Sequence, residues 1–204
     1  MKKLTYHIKA YSHIRENKVS LNGEVIFADA SPDFSTFIKS AYKKFKVDYP
    51  KFFKMDNLSK LAFIGAEVIL SKENLDYGID NNIALVFANR ASSLDTDRKH
   101  EESIQDDSSY YPSPAVFVYT LPNICLGEIS IKHKLYSENS FFIFDGFNAE
   151  HLFHYSSSLL DLGKADQVLC GWVDFDGDNY EAFLYLVSKE VGTKYTVEGI
   201  KRLY

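Results

Sequence analysis

Cysteine is scarce in this chain of 204 residues, which contains only Cys125 and Cys170. One falls in a predicted helix and the other in a predicted strand, so buried free thiols are expected instead of a disulfide. Long apolar runs are also missing, because no run approaches the roughly 18 residues that crossing a bilayer requires. Residues 1–10 are too polar to form the apolar core of a signal peptide. These absences predict a cytoplasmic protein without a membrane span.

Basic residues are in the minority. The chain has 23 Lys and Arg against 28 Asp and Glu, which gives a formal net charge of −5. A nucleic-acid-binding face requires an excess of basic residues, so nucleic acid is not an expected partner. The chain is 46% hydrophobic and shows no internal repeat. A chain of this size buries about 70% of its unfolded surface in one core, and we expect a single domain over residues 1–204.

The stretch from Asn139 to Phe175 changes its hydrophobic period twice. The aromatic run at 141–144 predicts a buried strand, and Asp145-Gly146 ends it. Apolar residues at the spacing of a helix then begin after Asn148, and Gly163 closes that helix. We expect Asp145 to bond free amides in the first turn of that helix. A second strand is predicted at 167–173. Strand, helix and strand within about 35 residues form a βαβ unit with parallel strands.

The rest of the chain gives simpler patterns. The strands they predict are a first strand at Leu4 to Ala10, a hairpin at Lys18 to Ala28 around Asn22-Gly23, a central strand at Ile83 to Ala88, and an antiparallel last strand at Glu181 to Ser188. The predicted helices are one after Ser31-Pro32 with Ser31 as N-cap, one after Asp56, a short one capped by Asp95 or Thr96 and reaching Ile104, and one at Leu121 to His133. A mobile loop is predicted at Gln105 to Ser109.

Three blocks, in order, carry a resemblance to one family. They are Ser92-Ser93-Leu94-Asp95-Thr96-Asp97, the run from Thr120-Leu121-Pro122-Asn123 to Ile131, and the run from Gly163-Lys164-Ala165-Asp166 to Asp174. They resemble the "G-S-x-x-T-D", "T-L-P-N-x-x-x-G-x-I-S-I" and "G-x-A-D-x-V-L-x-G-G-x-D/E" segments of β-ketoacyl synthases, the condensing enzymes of the thiolase-like superfamily. The resemblance implies an α/β fold, a thiolase-like half with a five-stranded, mostly parallel sheet, helices on both faces and an antiparallel last strand.

The resemblance also implies that the chemistry of the family is lost. Ketosynthases carry a nucleophilic cysteine at the turn between strand and helix, where the helix N-terminus lowers the thiol pKa. Gly146 occupies that position, and glycine cannot be acylated. The two histidines that support condensation lie in the second half of a full-length ketosynthase, and these 204 residues resemble only the first half. We therefore expect no catalytic residue, no cofactor and no enzymatic activity.

Asp145, His151 and His154 remain as candidate general bases if the old pocket serves another reaction. The two histidines lie three residues apart on the predicted helix, but no third close ligand completes a metal site. Asp174 to Asp178 lacks the offsets of an EF-hand calcium loop and predicts a turn between strands. Cys125 and Cys170 lie away from any strand-to-helix turn, which favours core packing. No metal site is expected.

The resemblance thus implies a non-catalytic, chain-length-factor-like partner of a full-length ketosynthase, in a bacterial fatty-acyl or polyketide pathway of the aryl polyene type. The alternative is a homodimer that binds an acyl chain or an acyl-carrier protein without chemistry. In both cases we expect the apolar residues of the helix after Asn148 and of the strand at 141–144 to need a cover. We expect these residues to be covered in a homodimer when the protein is purified alone, and in a heterodimer when it is coexpressed with the ketosynthase.

Overall fold

The computed structural model describes residues 5–31, 33–105 and 112–204, which form eight strands and seven α-helices. The strands are β1 (His7–Arg15), β2 (Lys18–Leu21), β3 (Glu24–Ala28), β4 (Ile83–Asn89), β5 (Asn139–Ile143), β6 (Gln167–Asp176), β7 (Asn179–Ser188) and β8 (Thr193–Lys194). The helices are α1 (Phe34–Lys44), α2 (Asn57–Leu70), α3 (Leu94–Ile104), α4 (Pro114–Val118), α5 (Ile124–His133), α6 (Ala149–Asp161) and α7 (Val197–Leu203), with a 3₁₀ helix at Pro50–Lys54.

The strands form one mixed sheet in the order β3-β2-β1-β7-β6-β4-β5, and β8 pairs with β1. Two of the strand pairs are parallel, β4 with β6 and β4 with β5, and the remaining pairs are antiparallel. The expected α/β architecture is confirmed, and so is the antiparallel last strand, β7. The expectation of five strands in a mostly parallel sheet is wrong.

Short connections explain the antiparallel majority. Two-residue turns join β1 to β2 at Glu16-Asn17 and β2 to β3 at Asn22-Gly23, and all four residues have positive φ. Such turns return the chain antiparallel, whereas parallel strands need a longer crossover. Gly177, also at positive φ, begins the two-residue turn from β6 to β7. Helical connections join β3 to β4, β4 to β5 and β5 to β6.

Helices cover both faces of the sheet, as expected. One apolar cluster joins α1, α2 and α5 to the sheet, and the other joins α6 and α7 to its opposite face. Every residue of β4 is buried, as the continuous apolar run predicts. Gly171 lets β6 and β7 approach closely, because a Cβ there would lie 2.0 Å from the carbonyl oxygen of Phe183. In the ranges the structure describes, no helix has the length and apolarity needed to cross a bilayer.

Several predicted boundaries need correction. Helix α1 is capped by Asp33, which accepts a hydrogen bond from the Thr36 N–H at 2.8 Å, and not by Ser31. Helix α3 follows Ser93, and Thr96 instead donates a hydrogen bond to Asp56 at 3.0 Å. Strand β1 begins at His7 and continues to Arg15, beyond the predicted end, and α5 begins at Ile124. Of the predicted loop at Gln105 to Ser109, residues 106–109 lie outside the described residues. The hairpin, α2, α6 and β6 are confirmed.

Helix α6 does not need the cover that the sequence led us to expect. Its apolar residues Leu152, Leu159 and Leu160 are buried against this chain's own sheet, and Phe153 is partly buried, with its ring 5.0 Å from that of Tyr195. The residues on its outward side are polar and exposed: Glu150, His154, Ser158 and Asp161. The expectation of an open apolar face on this helix is therefore wrong, because its stripe is satisfied within the chain.

Candidate functional site

The turn between β5 and α6 lies where the carboxyl ends of the parallel strands β4, β5 and β6 meet, the usual position of ligand sites in α/β sheets. The Phe144 N–H donates to the Asn89 carbonyl at 2.9 Å, which extends the pairing of β5 with β4 by one residue. Gly146 follows and is exposed. Its backbone is not in the left-handed region, and no atom lies within 4 Å of a Cβ placed on it. The glycine is therefore not demanded by the backbone or by crowding.

A cavity of about 550 Å³ opens beside Gly146. Phe147 and Trp172 form its apolar wall. Its charged lining is mostly acidic: Glu16, Asp145, Asp174, Asp178 and Glu181 stand against Arg15 and Arg90. Within the described residues, no cysteine, serine, threonine or histidine lines the cavity. The cavity offers surface for binding, and it lacks the nucleophile and imidazole that acyl transfer uses.

Asp174 has a structural role at this edge of the sheet. Its Oδ1 accepts hydrogen bonds from the backbone N–H groups of Arg90 at 3.1 Å and Ala91 at 2.9 Å. The Arg90 guanidinium lies 3.6 Å from the same carboxylate. These contacts fix the loop after β4 against the end of β6, next to the turn that holds Gly146.

Asn148, and not Asp145, caps helix α6. The Asn148 side chain accepts a hydrogen bond from the His151 N–H at 2.9 Å. Asp145 is exposed and makes no hydrogen bond to another described residue. An N-cap residue must stand next to the first helical turn, and Asp145 lies three residues too early.

The histidine candidates are not brought together at Gly146. His151 turns toward β5, with its ring 4.6 Å from Phe142 and 4.9 Å from Phe144. His154 is exposed and lines a different cavity, with Tyr6 and Ser157. Across the described ranges, no group of three or more His, Cys, Asp or Glu is arranged to hold a metal ion.

Both thiols are buried and free, as the sequence predicts. Burial raises the pKa of Cys170 to about 12 and that of Cys125 well above its ordinary value. At neutral pH both therefore remain protonated, and neither is reactive.

One wall of the cavity could not be found from the sequence. The ring of Tyr204 stacks on Phe147 at a centroid distance of 4.1 Å, and its hydroxyl donates to Glu181 at 2.8 Å. Burial, followed by the hydrogen bond to Glu181, raises the pKa of the Tyr204 hydroxyl. No local pattern predicts this contact, because it depends on how α7 lies across the sheet.

Strand β5 leaves an edge of the sheet open. It pairs with β4 on one side, and no other strand of the described residues pairs with it. Ile143 is 50% exposed there. Phe141, Phe142 and Phe144 are only partly buried, so this strand lies at the edge instead of in the buried interior expected from its aromatic run.

Exposed apolar residues continue from the same end of the sheet. The Ser92 N–H donates to the Asn89 side chain at 3.0 Å, and the Ser93 hydroxyl donates to the Thr120 carbonyl at 2.7 Å. These bonds bring the segment after α4 to the ends of β4 and β5. Phe117, Val118 and Leu121 in and after α4 are between 47% and 60% exposed. We call Ile143 with these three residues the edge surface.

Neither a protein-family model nor a curated protein matches the chain. Solved structures do match. The ishigamide ketosynthase/chain length factor matches with a TM-score of 0.65 and 15% identity, over 90% of this chain and 62% of that one. A chain of the ketosynthase ApeO in complex with its chain length factor ApeC, from Xenorhabdus doucetiae, matches with a TM-score of 0.60 and 13% identity, over 98% of this chain and 90% of that one.

A third match is to the AntDE:AntF complex of a type II polyketide synthase acyl-carrier protein with its ketosynthase, with a TM-score of 0.64 and 11% identity, over 98% of this chain and 65% of that one. The chain thus spans less than two thirds of the first and third of these structures and nearly the whole length of the second. At identities this low, the TM-scores of 0.60 to 0.65 establish a shared fold and nothing beyond it. The chain has the thiolase-like fold of ketosynthases and chain length factors.

Proposed function

We propose that this protein is a non-catalytic, chain-length-factor-like partner of a full-length ketosynthase. The single observation that carries the proposal is Gly146, which stands exposed at the strand-to-helix turn of a ketosynthase fold. Because a Cβ would fit there without contact, steric demand does not account for the glycine. The chain keeps the architecture around the family's nucleophile position and lacks the nucleophile.

The surroundings of Gly146 support a role without chemistry. The two thiols are buried with raised pKa values, and neither His151 nor His154 lines the cavity beside Gly146. Asp145 does line the cavity, but no described residue hydrogen-bonds it into position as a base. Use of Asp145, His151 or His154 as a general base is therefore the weaker reading.

The edge surface supports the pairing half of the proposal. An open strand edge presents unpaired N–H and C=O groups to a second chain, and Phe117 and Leu121 add apolar area beside it. A ketosynthase strand placed antiparallel to β5 would continue the sheet across the interface. Aromatic and aliphatic residues with satisfied strand hydrogen bonds are the composition expected at the core of such a contact.

On this proposal the protein acts as a single domain in the cytoplasm, and it shapes or stabilises the partner's acyl tunnel. The pathway we propose makes fatty-acyl or polyketide products of the aryl polyene type. Acyl-carrier protein binds mainly through the ketosynthase. A complex of a ketosynthase with its chain length factor and a complex of a ketosynthase with its acyl-carrier protein share this fold, which supports the proposal.

The second candidate is a homodimer that binds an acyl chain or an acyl-carrier protein without chemistry. The cavity beside Gly146, with Phe147 and Trp172 in its wall, is the observation that favours it. Two copies of β5 placed antiparallel about a twofold axis would close the open edge in the same way.

Coexpression with a full-length ketosynthase from the same organism tests the proposal. We expect one complex by size-exclusion chromatography with light scattering, and a change in the acyl chain length of the ketosynthase products when the protein is present. A mixture that stays unassociated, with products unaffected by the protein, would refute it. A homodimer that copurifies with an acyl chain and ignores the ketosynthase would establish the second candidate.

A further inference from the structure

A groove of about 370 Å³ lies on the β1-β2-β3 face that also carries α7. We call it the hairpin groove and define it by Tyr11, Arg15, Lys18, Ser20 and Arg202; among the described residues, Glu16 is the one carboxylate in its lining. The lining thus carries three cationic side chains against one anionic one, on a chain whose net charge is −5. The groove thus has a net positive lining although the protein as a whole is net negative.

Two of the cations face each other across neighbouring strands. Arg15 of β1 is directly opposite Lys18 of β2, and His13 is opposite Ser20 in the same register. Directly opposed like charges destabilise a pair of strands. The carboxylates nearby relieve this only slightly, since Arg15 is 3.8 Å from Glu181 and Lys18 is 3.8 Å from Glu16, and such exposed pairs are weak.

The remaining polar groups are hydrogen-bond donors. Arg202 of α7 forms no ion pair with a carboxylate of the described residues, and the Tyr11 and Ser20 hydroxyls donate to no described group. Tyr11 reaches the groove because the turn at Gly23 passes close to it, with the Tyr11 hydroxyl 2.9 Å from where a Cβ of Gly23 would lie. His13 forms the floor, its ring stacked on Phe183 at 4.7 Å.

We propose that the hairpin groove binds the phosphate group of a small phosphorylated molecule. A phosphate dianion placed between Arg15 and Lys18 removes their repulsion, and Arg202 and the two hydroxyls supply further donors to its oxygens. The volume of the groove accommodates more than the phosphate alone, which favours a phosphate ester over the free ion. The site does not depend on pairing with a ketosynthase, so it stands or falls separately from the proposed function.

Titration of the purified protein with inorganic phosphate and with glycerol 3-phosphate, followed by NMR shifts of the backbone amides of β1 and β2, tests the site. We expect saturable shifts with at least one of the two, and the ester binding more tightly if the groove also contacts the rest of the molecule. Arg202→Gln and Lys18→Gln should each weaken binding by about tenfold, the usual effect of losing one charge-assisted hydrogen bond.

Lys201→Gln is the matched control, because Lys201 precedes Arg202 on α7 but lines a separate cavity, together with Asn148 and Glu150. It should bind like the wild-type protein. Absence of saturable binding of either compound would overturn the proposal. Equal weakening by Lys201→Gln would overturn it too, since the attraction would then be a general effect of charge. Acetate binding as tight as phosphate would refute phosphate as the ligand class.

Discussion

The ring of Tyr204 stacks on the ring of Phe147 at a centroid distance of 4.1 Å. Phe147 directly follows Gly146 in the turn before α6. This contact ties the end of α7 to the turn that holds Gly146. The Tyr204 ring also approaches Phe183 at 5.5 Å, so a single side chain links the turn, α7 and the centre of the sheet.

Removal of this link should cost stability in two separable parts. Tyr204→Ala loses the stacking and the hydroxyl contact, and should lower the free energy of unfolding by about 2 kcal/mol. Tyr204→Phe keeps the ring and loses only the partly exposed hydrogen bond to Glu181, which should cost about 0.5 kcal/mol. Urea denaturation of both variants measures the difference. Equal losses would show that the ring contributes nothing.

The wild-type protein should form no covalent adduct with an acyl-carrier thioester, because Gly146 offers no nucleophile. Gly146→Cys should fold with the stability of Gly146→Ala, since a Cβ meets no atom within 4 Å. The new thiol should react with iodoacetamide, yet malonyl units should still not condense, because no histidine of the described residues lines the cavity beside it. Intact-mass spectrometry measures each adduct. An acyl adduct on the wild-type protein, or elongation by Gly146→Cys alone, would contradict this reading.

The two polar residues of the same turn should differ in their effect on stability. Asn148→Ala should lower the free energy of unfolding by about 1 kcal/mol, the usual loss for an N-cap that bonds a first-turn amide. Asp145→Ala should change it by less than about 0.5 kcal/mol, because Asp145 is exposed and does not cap the helix. Thermal and urea unfolding of the pair test this. A larger loss for Asp145→Ala would restore it as the cap.

The contrast between Asp145 and Asn148 shows how far the sequence leads. Periodicity located α2, β4, α6 and β6, because each has one apolar stripe or a continuous apolar run. Periodicity also placed Gly146 in the turn between β5 and α6. It does not resolve which residue caps α6, because Asp145 and Asn148 are only three residues apart.

Contacts between distant segments were out of reach. The sequence suggested that α6 exposes apolar residues, and the structure buries Leu152, Leu159 and Leu160 under this chain's own sheet. The strand pairing of β1 with β7 is equally non-local. Pairings of this kind leave no local signature, so the number and direction of strands were predicted wrongly although the fold class was confirmed.

His13 should make stability depend on pH. Burial, followed by repulsion from Arg15, lowers the pKa of His13 to about 4, against an unfolded value of about 6.5. The unfolded chain therefore binds more protons between pH 6.5 and 4, and stability falls as the pH is lowered through that range. The loss from this group reaches about 3 kcal/mol at pH 4. His13→Phe, which keeps a ring against Phe183, should remove this component of the slope.

His154→Phe is the control for that measurement, because His154 is exposed and a phenyl ring there replaces a solvated imidazole. Urea unfolding at several pH values gives the slope for each protein. A slope for His13→Phe that matches the wild-type slope would show that His13 is protonated in the folded state as readily as in the unfolded state.

The open edge of β5 gives the sharpest test of assembly. Ile143 is 50% exposed on that edge, so Ile143→Lys should leave the fold intact, with an unchanged circular dichroism spectrum. Ile143 is the last residue of β5. A lysine at this end of the pairing edge must lose its hydration when a second strand pairs there, and such charges are what natural edges use to prevent pairing. Association with itself or with a ketosynthase should therefore weaken by at least about tenfold.

Ile131→Lys on α5, 57% exposed and outside the edge surface, should associate like the wild-type protein in light scattering. Unaltered assembly of Ile143→Lys would show that the partner does not use β5, and an unfolded variant would show that the chain's own core needs this side chain.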